Sequence, residues 1–507
     1  ATNVTELVKT GKMKFYESLC ESVPAGWIEL MRIPGLGPKR IRTLCDLLAI
    51  ASVEELKRAA EQGRVRALKG FGEQSEKKIL DGIAFLEKGG QRALGAIVRP
   101  LAEELLGALR DRKDVLQAEI GGSLRRWLET VKDVDLLVAT KKPAPVSKAF
   151  LELLPGASIT ATGETKTSVR IPSGLAIDLR LVSPEQFPFA LHYFSGSVAH
   201  NVRVRQRALE RGMSLNEYEL SGAKHAPIQS EADLFQVLGL SYIEPELRED
   251  RGEIEAAENG TLPKLVTLAD MRGILHAHTT YSDGKSTLTE MAEAAVAAGA
   301  TYLGITDHSV SVRYAGGLSE DDLLRQQKEI DKWNSKSKTL RILKGAEVDI
   351  LPDGSLDYPE SVLERLDFVI ASVHTNFNVT EEEMTARVVK ALRNRYVGIF
   401  AHPTGRLILQ REGYRIAYEN IFKVAAEEGV VIEINSNPRR LELDWREMRA
   451  AKAHGLKFAV NPDAHHVDDY LNLRYGIGIA RKGWLTAEDV INTYPVERTL
   501  ELLRARR

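Results

Sequence analysis

From residue 272 onward the chain repeats one rhythm: a short apolar run, a polar motif, then an Ala/Glu/Lys-rich helical stretch. The apolar runs include YLGIT, FVIAS, VGIFA, VVIEIN and KFAVN, and LTEMAEAAVAAG is one of the helical stretches. Repeated βα units predict a parallel sheet closed into a barrel, with its chemistry at the carboxyl ends of the strands. The polar motifs sit where that rule puts chemistry. They read HAHTTYSDG (276–284), TDHS (306–309), GAEVDI (345–350), SVHTNF (372–377), AHPTGR (401–406) and NPDAHH (461–466). Seven of the eleven histidines lie in these motifs, six of them at positions 276–465, and none precedes His192. The candidate ligands are His276, His278, Asp283, His308, Glu347, His374, His402, Asp463 and His465. A single such histidine is most often structural. Nine ligand-type residues at strand ends predict a multi-metal hydrolytic site, and mixed nitrogen and oxygen donors suit Zn²⁺ or Mn²⁺.

At 507 residues the chain is too long for one core, and two to four domains are expected. Apolar stretches are too short to span a bilayer, so no membrane association is expected. The first residues lack the apolar core of a signal peptide. Two cysteines, Cys20 and Cys45, imply no disulfide framework and fit a reducing cytoplasm. Residues 1–100 carry 17 Lys+Arg against 12 Asp+Glu, a net +5 in a chain of net −2. That excess favours a polyanionic partner.

Residues 1–90 read as short helices. IPGLGPKRIRTL (33–44) and LKGFGEQSEKKIL (68–80) share one pattern: an apolar residue, Gly-x-Gly, then a basic amphipathic helix. Gly35, Gly37, Gly70 and Gly72 turn the backbone and expose amides at a helix start. With Lys39, Arg40 and Lys77 beside them, these turns can grip a DNA phosphate without reading a base. The resemblance is to helix–hairpin–helix motifs. Helix then gives way to strand signals at AEIGGS, DVDLLVAT (133–140), SVRIP (168–172) and LAIDLRLV (175–182), predicting an α+β unit. The acidic, proline-flanked stretch 244–263 predicts a linker, with the main boundary near 260–272.

Asp133 and Asp135 lie two apart in an extended run and face one way. Asp178 can join them from a neighbouring strand. Three converging carboxylates repel unless cations neutralise them, and Mg²⁺ takes such oxygens while leaving room for phosphates. Two such ions suit in-line phosphoryl displacement. Upstream, GGSLRR (121–126) offers amide, hydroxyl and guanidinium donors.

Through GGSLRR…DVD, IDLR, the YFSG turn (193–196), NVRVRQRALERG (201–212) and LNEY (215–218), residues 1 to about 250 resemble the family X DNA polymerases. The resemblance implies that Asp133, Asp135 and Asp178 hold two Mg²⁺ or Mn²⁺ ions, with Asp178 also activating the primer 3′-OH. It assigns the triphosphate to Gly122, Ser123, Arg126 and Arg92. Tyr193, Phe194 and Gly196 would line the sugar pocket, while Asn201 and Arg205 would meet the nascent pair and template. Two departures bear on nucleotide affinity: Trp127 and Lys132 stand where many relatives have Gly. The Schiff-base lysine of the family's lyase domain would fall near Asn3, so no lyase activity is expected.

The motifs after 272 resemble the PHP (polymerase and histidinol phosphatase) domain. This implies a distorted seven-stranded barrel with up to three Mn²⁺ or Zn²⁺ ions. One would take His276, His278, Glu347 and Asp463, and a second Glu347, His374 and His402. The third would take Asp283, His308 and His465. Arg406 and Arg439 or Arg440 would bind substrate phosphate.

The expected organisation has five parts. Residues 1–90 form an all-α DNA-binding region, 91–183 an α+β palm, and 184–246 a helical/β nucleotide-binding subdomain. A linker spans 247–271, and an α/β PHP barrel fills 272–507. The expected function is a repair polymerase acting on gapped or nicked DNA with dNTPs. Its PHP domain would be a 3′→5′ exonuclease, with apurinic-site endonuclease or 3′-phosphodiesterase activity as further expectations. The cytoplasm, at the nucleoid, is the expected location. Three alternatives stand: a nuclease whose polymerase half only binds DNA, a non-catalytic scaffold, and a phosphatase for small phosphoesters.

Overall fold

The structure, a computed structural model, describes residues 25–31, 33, 36–89 and 92–506. Gly35 and the partial lyase-like region before residue 25, with Cys20 and Asn3, lie outside the described residues. The chain divides into two compact units, the second beginning at Arg92.

The described part of the N-terminal unit is helical: Ala25–Leu30, Pro38–Leu48, Val53–Glu61 and Glu73–Gly89. Pro38 opens its helix where a missing N–H costs nothing. The Ser52 side chain caps the next helix by accepting from the Glu55 amide. Ile41, Leu44, Leu56, Ile79 and Ile83 share one small core.

The second unit begins with a five-stranded sheet. Its order is Gln117–Ile120, Asp133–Ala139, Ala176–Val182, Lys166–Arg170, Ser158–Thr162. Helices Gly95–Arg110 and Pro143–Glu152 cover it through Leu105, Leu109 and Phe150. Asp133–Ala139 and Ala176–Val182 run parallel, and their register sets Asp135 directly opposite Asp178. Helices Phe187–Ser195, Val198–Glu210 and Glu231–Val237 follow, with a hairpin of Met213–Leu215 and Leu220–Gly222.

The stretch expected as a linker is folded. It carries the helix Glu253–Glu258, and Ile254, Ala257 and Leu265 join Val204, Phe235 and Ile243 in one core. Its acidity has a structural use. Glu253 accepts from the Asp250 and Arg251 amides and faces the His200 ring at 2.7 Å. Glu249 pairs with Arg126 at 2.8 Å and Lys482 at 2.5 Å. Composition resembled a solvated linker because these acids have partners far away in sequence.

The C-terminal part holds eight parallel strand segments. Three form one sheet (Gly273–Ile274, Tyr302–Ile305, Arg341–Lys344) and five another (Glu347–Asp349, Val369–Ser372, Val397–Phe400, Val431–Asn435, Phe458–Asn461). Only Gly345 and Ala346 separate Arg341–Lys344 from Glu347–Asp349, so the eight segments occupy seven positions. Parallel bridges at Ala277–Ala464 and His308–Glu347 link the two sheets through ligand-bearing motifs. The expected barrel is therefore irregular where the chemistry sits.

Candidate active sites

In the palm, three carboxylates gather on neighbouring strands. Gly121 donates its amide to the Asp135 carbonyl at 2.7 Å. Gly122 has φ +62°, and a Cβ there would lie 2.5 Å from Asp135 Oδ2. The second glycine of GGS is thus required by its own backbone and by the carboxylate beside it. Burial, then the Asp133 carboxylate, raises the Asp135 carboxyl to about 6 against the pull of Arg180.

Three further residues surround the trio, and local spacing did not single them out. Lys166 Nζ stands 2.6 Å from Asp178, and the Ser168 hydroxyl donates to Asp178 at 2.6 Å. Arg180 approaches Asp135 at 3.5 Å and Asp178 at 3.8 Å while stacking on Phe194 at 3.9 Å. Lys166, Ser168 and Asp178 sit on paired strands, a register that is invisible before the sheet is known. Half-buried, mutually repelling oxygen donors that draw cations to themselves are a donor set suited to Mg²⁺ or Mn²⁺.

The expected nucleotide contacts divide. Tyr193 and Phe194 meet edge to face at 4.9 Å, and Arg205 lies over Tyr193 at 4.9 Å. Asn201 donates to the Tyr193 carbonyl at 2.7 Å, and a side chain at Gly196 would collide with Asn201. Ser123 lies in the single turn Gly122–Arg125. Arg126, by contrast, is buried; it binds Glu249 and donates to the Ser195 carbonyl at 2.7 Å. Arg92 donates to both oxygens of Thr130, at 2.8 and 2.6 Å.

Both departures from the family pattern have definite places. Lys132 is exposed and pairs with no carboxylate among the described residues. Trp127 adopts φ +56°, a left-handed conformation that glycine takes without strain. Its indole packs on Gly478, lies 6.4 Å from the Tyr475 ring and carries the Arg99 guanidinium 3.6 Å above it. Next to it, Glu129 meets Arg446 at 3.0 Å and Arg406 at 3.8 Å. Residues 126–129 therefore dock the palm against the C-terminal barrel.

In the barrel, all nine candidate ligands converge. Glu347 is central: it faces His308 at 2.9 Å, His402 at 2.8 Å, His374 at 3.4 Å, and His276 and His278 at 3.5 Å. Asp463 faces His278 at 3.2 Å and His276 at 3.4 Å. Asp283 faces His465 at 3.3 Å and His308 at 3.6 Å. Three groups have donor atoms close enough to share an ion: His278, Asp283, His308 and His465; His276, His278 and Asp463; His308, Glu347 and His374. Against the expected sets, His278 joins Asp283, His308 and His465; Glu347 is absent beside His276, His278 and Asp463; and His308 stands in place of His402.

Donor orientation supports metal ligation. His276 Nε2, both His278 ring nitrogens, His308 Nδ1 and Glu347 Oε2 are buried without a hydrogen-bond partner. His308 and Glu347 approach at 2.9 Å but out of hydrogen-bond alignment. Buried polar atoms are normally satisfied, so this concentration fits a site built for cations. His402 (φ +29°) and Asp463 (φ +52°) hold strained backbone at the same place. Burial, then His465 and His308, drives the His278 ring down to about 3. His308 rises to about 10, because the Glu347 and Asp283 carboxylates outweigh its burial.

A supporting layer was not anticipated. The fully buried Glu433 faces His276 Nδ1 at 2.7 Å and accepts from the His402 amide at 2.9 Å and the Asn461 side chain at 3.1 Å. Asp349 steadies His374, and Asn435 donates to Asp463 at 3.1 Å. Glu433 lies in VVIEIN, where a carboxylate in an apolar strand was the available signal. Arg440 stands 3.7 Å from Asp463, at the centre. Arg406 is held instead by Asp444 at 2.7 Å and the Arg440 and Leu441 carbonyls. Arg439 lies apart from these ligands, its amide donating to the Asn437 side chain at 3.0 Å.

In the N-terminal unit, Gly37 precedes the helix from Pro38, and Gly70 (φ +90°) and Gly72 precede the one from Glu73. Space above all three is open. Lys39, Arg40 and Lys77 are exposed, and Arg40 reaches over Phe71 of the second turn at 5.7 Å.

Three family models match: SAM-like helix-hairpin-helix tandem over residues 28–84, DNA polymerase beta thumb over 190–249 and PHP domain over 275–437. A DNA polymerase/3′-5′ exonuclease PolX of Bacillus subtilis (strain 168) is 40% identical over 495 residues, covering 96% of this chain and 86% of that one. A probable phosphatase of Thermoanaerobacter sp. (strain X514) is 33% identical over 236 residues, 44% of this chain and 91% of that one. A crystal structure of Leishmania infantum polymerase beta in a ternary gap complex aligns at 23% identity and a TM-score of 0.29, over 43% of this chain and 88% of that one.

Proposed function

The chain belongs to the family X DNA polymerases that carry a C-terminal PHP domain, and from that premise we propose that its two centres divide synthesis from degradation. The observation that carries this reading is two clusters of ligand-type residues with no residue in common. Three carboxylates lie on the palm sheet, and nine histidine and acidic candidate ligands gather in the barrel.

In the palm, Asp133, Asp135 and Asp178 would hold two divalent ions, Mg²⁺ or Mn²⁺, which when bound stabilise the attacking and leaving oxygens of phosphoryl transfer. Asp178 is the carboxylate that takes the proton of the primer 3′-OH. Ser123 and the amides of the Gly121-Gly122 turn receive the triphosphate, with Arg92 beside them. Arg126 joins on leaving Glu249, which Lys482 keeps paired. The Tyr193–Phe194 pair and Gly196 bound the sugar, while Asn201 and Arg205 meet the nascent pair and template. Gly35, Gly37, Gly70 and Gly72, with Lys39, Arg40 and Lys77, hold the DNA backbone of a gap or nick.

In the barrel, the nine ligands would hold up to three Mn²⁺ or Zn²⁺ ions, whose chemistry is to supply a nucleophile from water at neutral pH. Glu433 orients His276 and, through the His402 amide, the loop opposite. Arg440 is the cation placed to receive a scissile phosphate. The substrate is the 3′ end of DNA; apurinic-site cleavage is a second use of the same centre. Working on DNA with dNTPs places the enzyme at the cytoplasmic nucleoid.

The test is a 5′-labelled primer on gapped DNA with Mn²⁺, with and without dNTPs. Asp135→Ala is expected to abolish extension and spare shortening, and His374→Ala or Asp463→Ala to do the reverse. Loss of both activities in a single folded variant would defeat the two-centre reading.

A further inference from the structure

We propose that Tyr314 is a stacking platform for the nucleobase of the 3′-terminal nucleotide at the mouth of the histidine–carboxylate centre. The proposal rests on reading that centre as a nuclease, and names the feature by which it selects a nucleotide end over a bare phosphoester.

Tyr314 is 76% exposed, the most exposed aromatic side chain among the described residues. A lone exposed tyrosine on a loop is ordinary. The construction of this loop is not. It leaves the ligand His308 and returns to it, since the Leu318 amide donates to the His308 carbonyl at 2.8 Å. Between those ends, Val312, Ala315 and Leu318 are buried beneath the short helical turn Arg313–Ala315, leaving Tyr314 outside. The turn is tied to the groups that support the ligands. The Ser311 amide donates to Asp357 at 2.7 Å and its hydroxyl to Asp349 at 3.4 Å. Asp349 also steadies His374. On the other side, Gly316 lies against Ser282, the neighbour of the ligand Asp283. The turn that carries the ring is thus tied to three parts of the centre, while the ring itself lies outside the core.

Its hydroxyl lies within electrostatic reach of the centre. Partial burial at the mouth, then Glu347, Asp349 and Asp283, raises its pKa, while Arg440 acts against them. The phenol therefore shares the electrostatic surroundings of the ligands and of the cation placed to hold phosphate. Arg440 for phosphate and an open aromatic face for a base are the two contacts a nucleotide needs. Stacking is tolerant of sequence, as a trimming activity at any 3′ end requires. A small phosphoester has no base to offer this face.

The experiment uses the full chain with Mn²⁺ and two 5′-labelled single strands, one ending in an ordinary nucleotide and one in an abasic tetrahydrofuran nucleotide. Tyr314→Ala is expected to raise KM for the base-bearing end by roughly five- to 150-fold, the worth of one base–aromatic stack. It should leave kcat nearly unchanged and have little effect on the abasic end. Tyr314→Phe should restore the wild-type KM. An equal loss on both ends, or no loss on either, overturns the proposal. A second readout needs no cleavage: 2-aminopurine at the 3′ end should be quenched more by the wild type than by Tyr314→Ala. Equal quenching also overturns it. If the wild type shortens neither strand, the nuclease reading itself fails, and the fluorescence difference still decides the stack.

Discussion

Replacing Trp127 by glycine tests the docking of the palm loop on the barrel. Two opposing effects can be sized. The indole packs on Gly478 and Tyr475 and supports the Arg99 guanidinium. Deleting a fully buried tryptophan costs about 3–5 kcal/mol, so a partly buried one costs about 2–3. Losing a cation–π contact with a desolvated guanidinium adds about 1 kcal/mol. Against this, glycine relieves the left-handed backbone at φ +56°, worth about 1–2 kcal/mol. Glycine's greater freedom in the unfolded chain returns about 0.5–1 kcal/mol of that gain. The net is a destabilisation of about 2–3 kcal/mol. For a cooperative unit of roughly 400 residues this lowers Tm by about 3 °C. Trp127→Ala loses the same packing but keeps a Cβ in the left-handed region. It should therefore unfold below Trp127→Gly, reversing the usual order of alanine and glycine. Differential scanning calorimetry of the full chain measures all three. If alanine is as stable as glycine, the left-handed assignment fails. If neither variant lowers Tm, the indole does not hold the two parts together.

Three further outcomes are expected. Glu433→Gln removes the charge behind His276 while keeping its shape, so Mn²⁺ affinity of the barrel centre should fall roughly 10- to 100-fold. Metal titration of shortening activity measures this, with recovery at saturating Mn²⁺ and no change in primer extension. Lys39→Ala and Lys77→Ala should each weaken DNA binding regardless of sequence and reduce the salt slope by about one, as read by fluorescence anisotropy over a salt series. Ser52→Ala removes the cap accepting from Glu55 and should destabilise the helix–hairpin–helix unit by about 1 kcal/mol, seen in its amide hydrogen exchange.

Much of the chemistry was legible because ligand identity and local spacing survive without a fold. Asp133 and Asp135 are two apart on a strand, and GGS precedes them because Asp135 leaves no room for a Cβ at Gly122. The barrel ligands were readable as polar residues ending apolar runs, the one place where a βα unit exposes them to a shared mouth. Lys166 and Ser168 could not be read in this way. They reach Asp178 only through the register of an antiparallel pair.

The sequence by itself determined the order of the parts, the two sets of candidate ligands and the βα rhythm, since each depends on residue type and short period. Tertiary structure decided where the other charges went. It turned Arg126 to Glu249, joined Glu129 to Arg446 across 317 residues and made the acidic stretch a folded partner of Arg126, Lys482 and Arg481. It also gave Trp127, which read as bulk beside a phosphate site, a seat on the barrel helix Leu473–Lys482. The reason is physical: a buried ion pair or wedge is defined by which surfaces meet, and composition leaves that choice open until packing makes it.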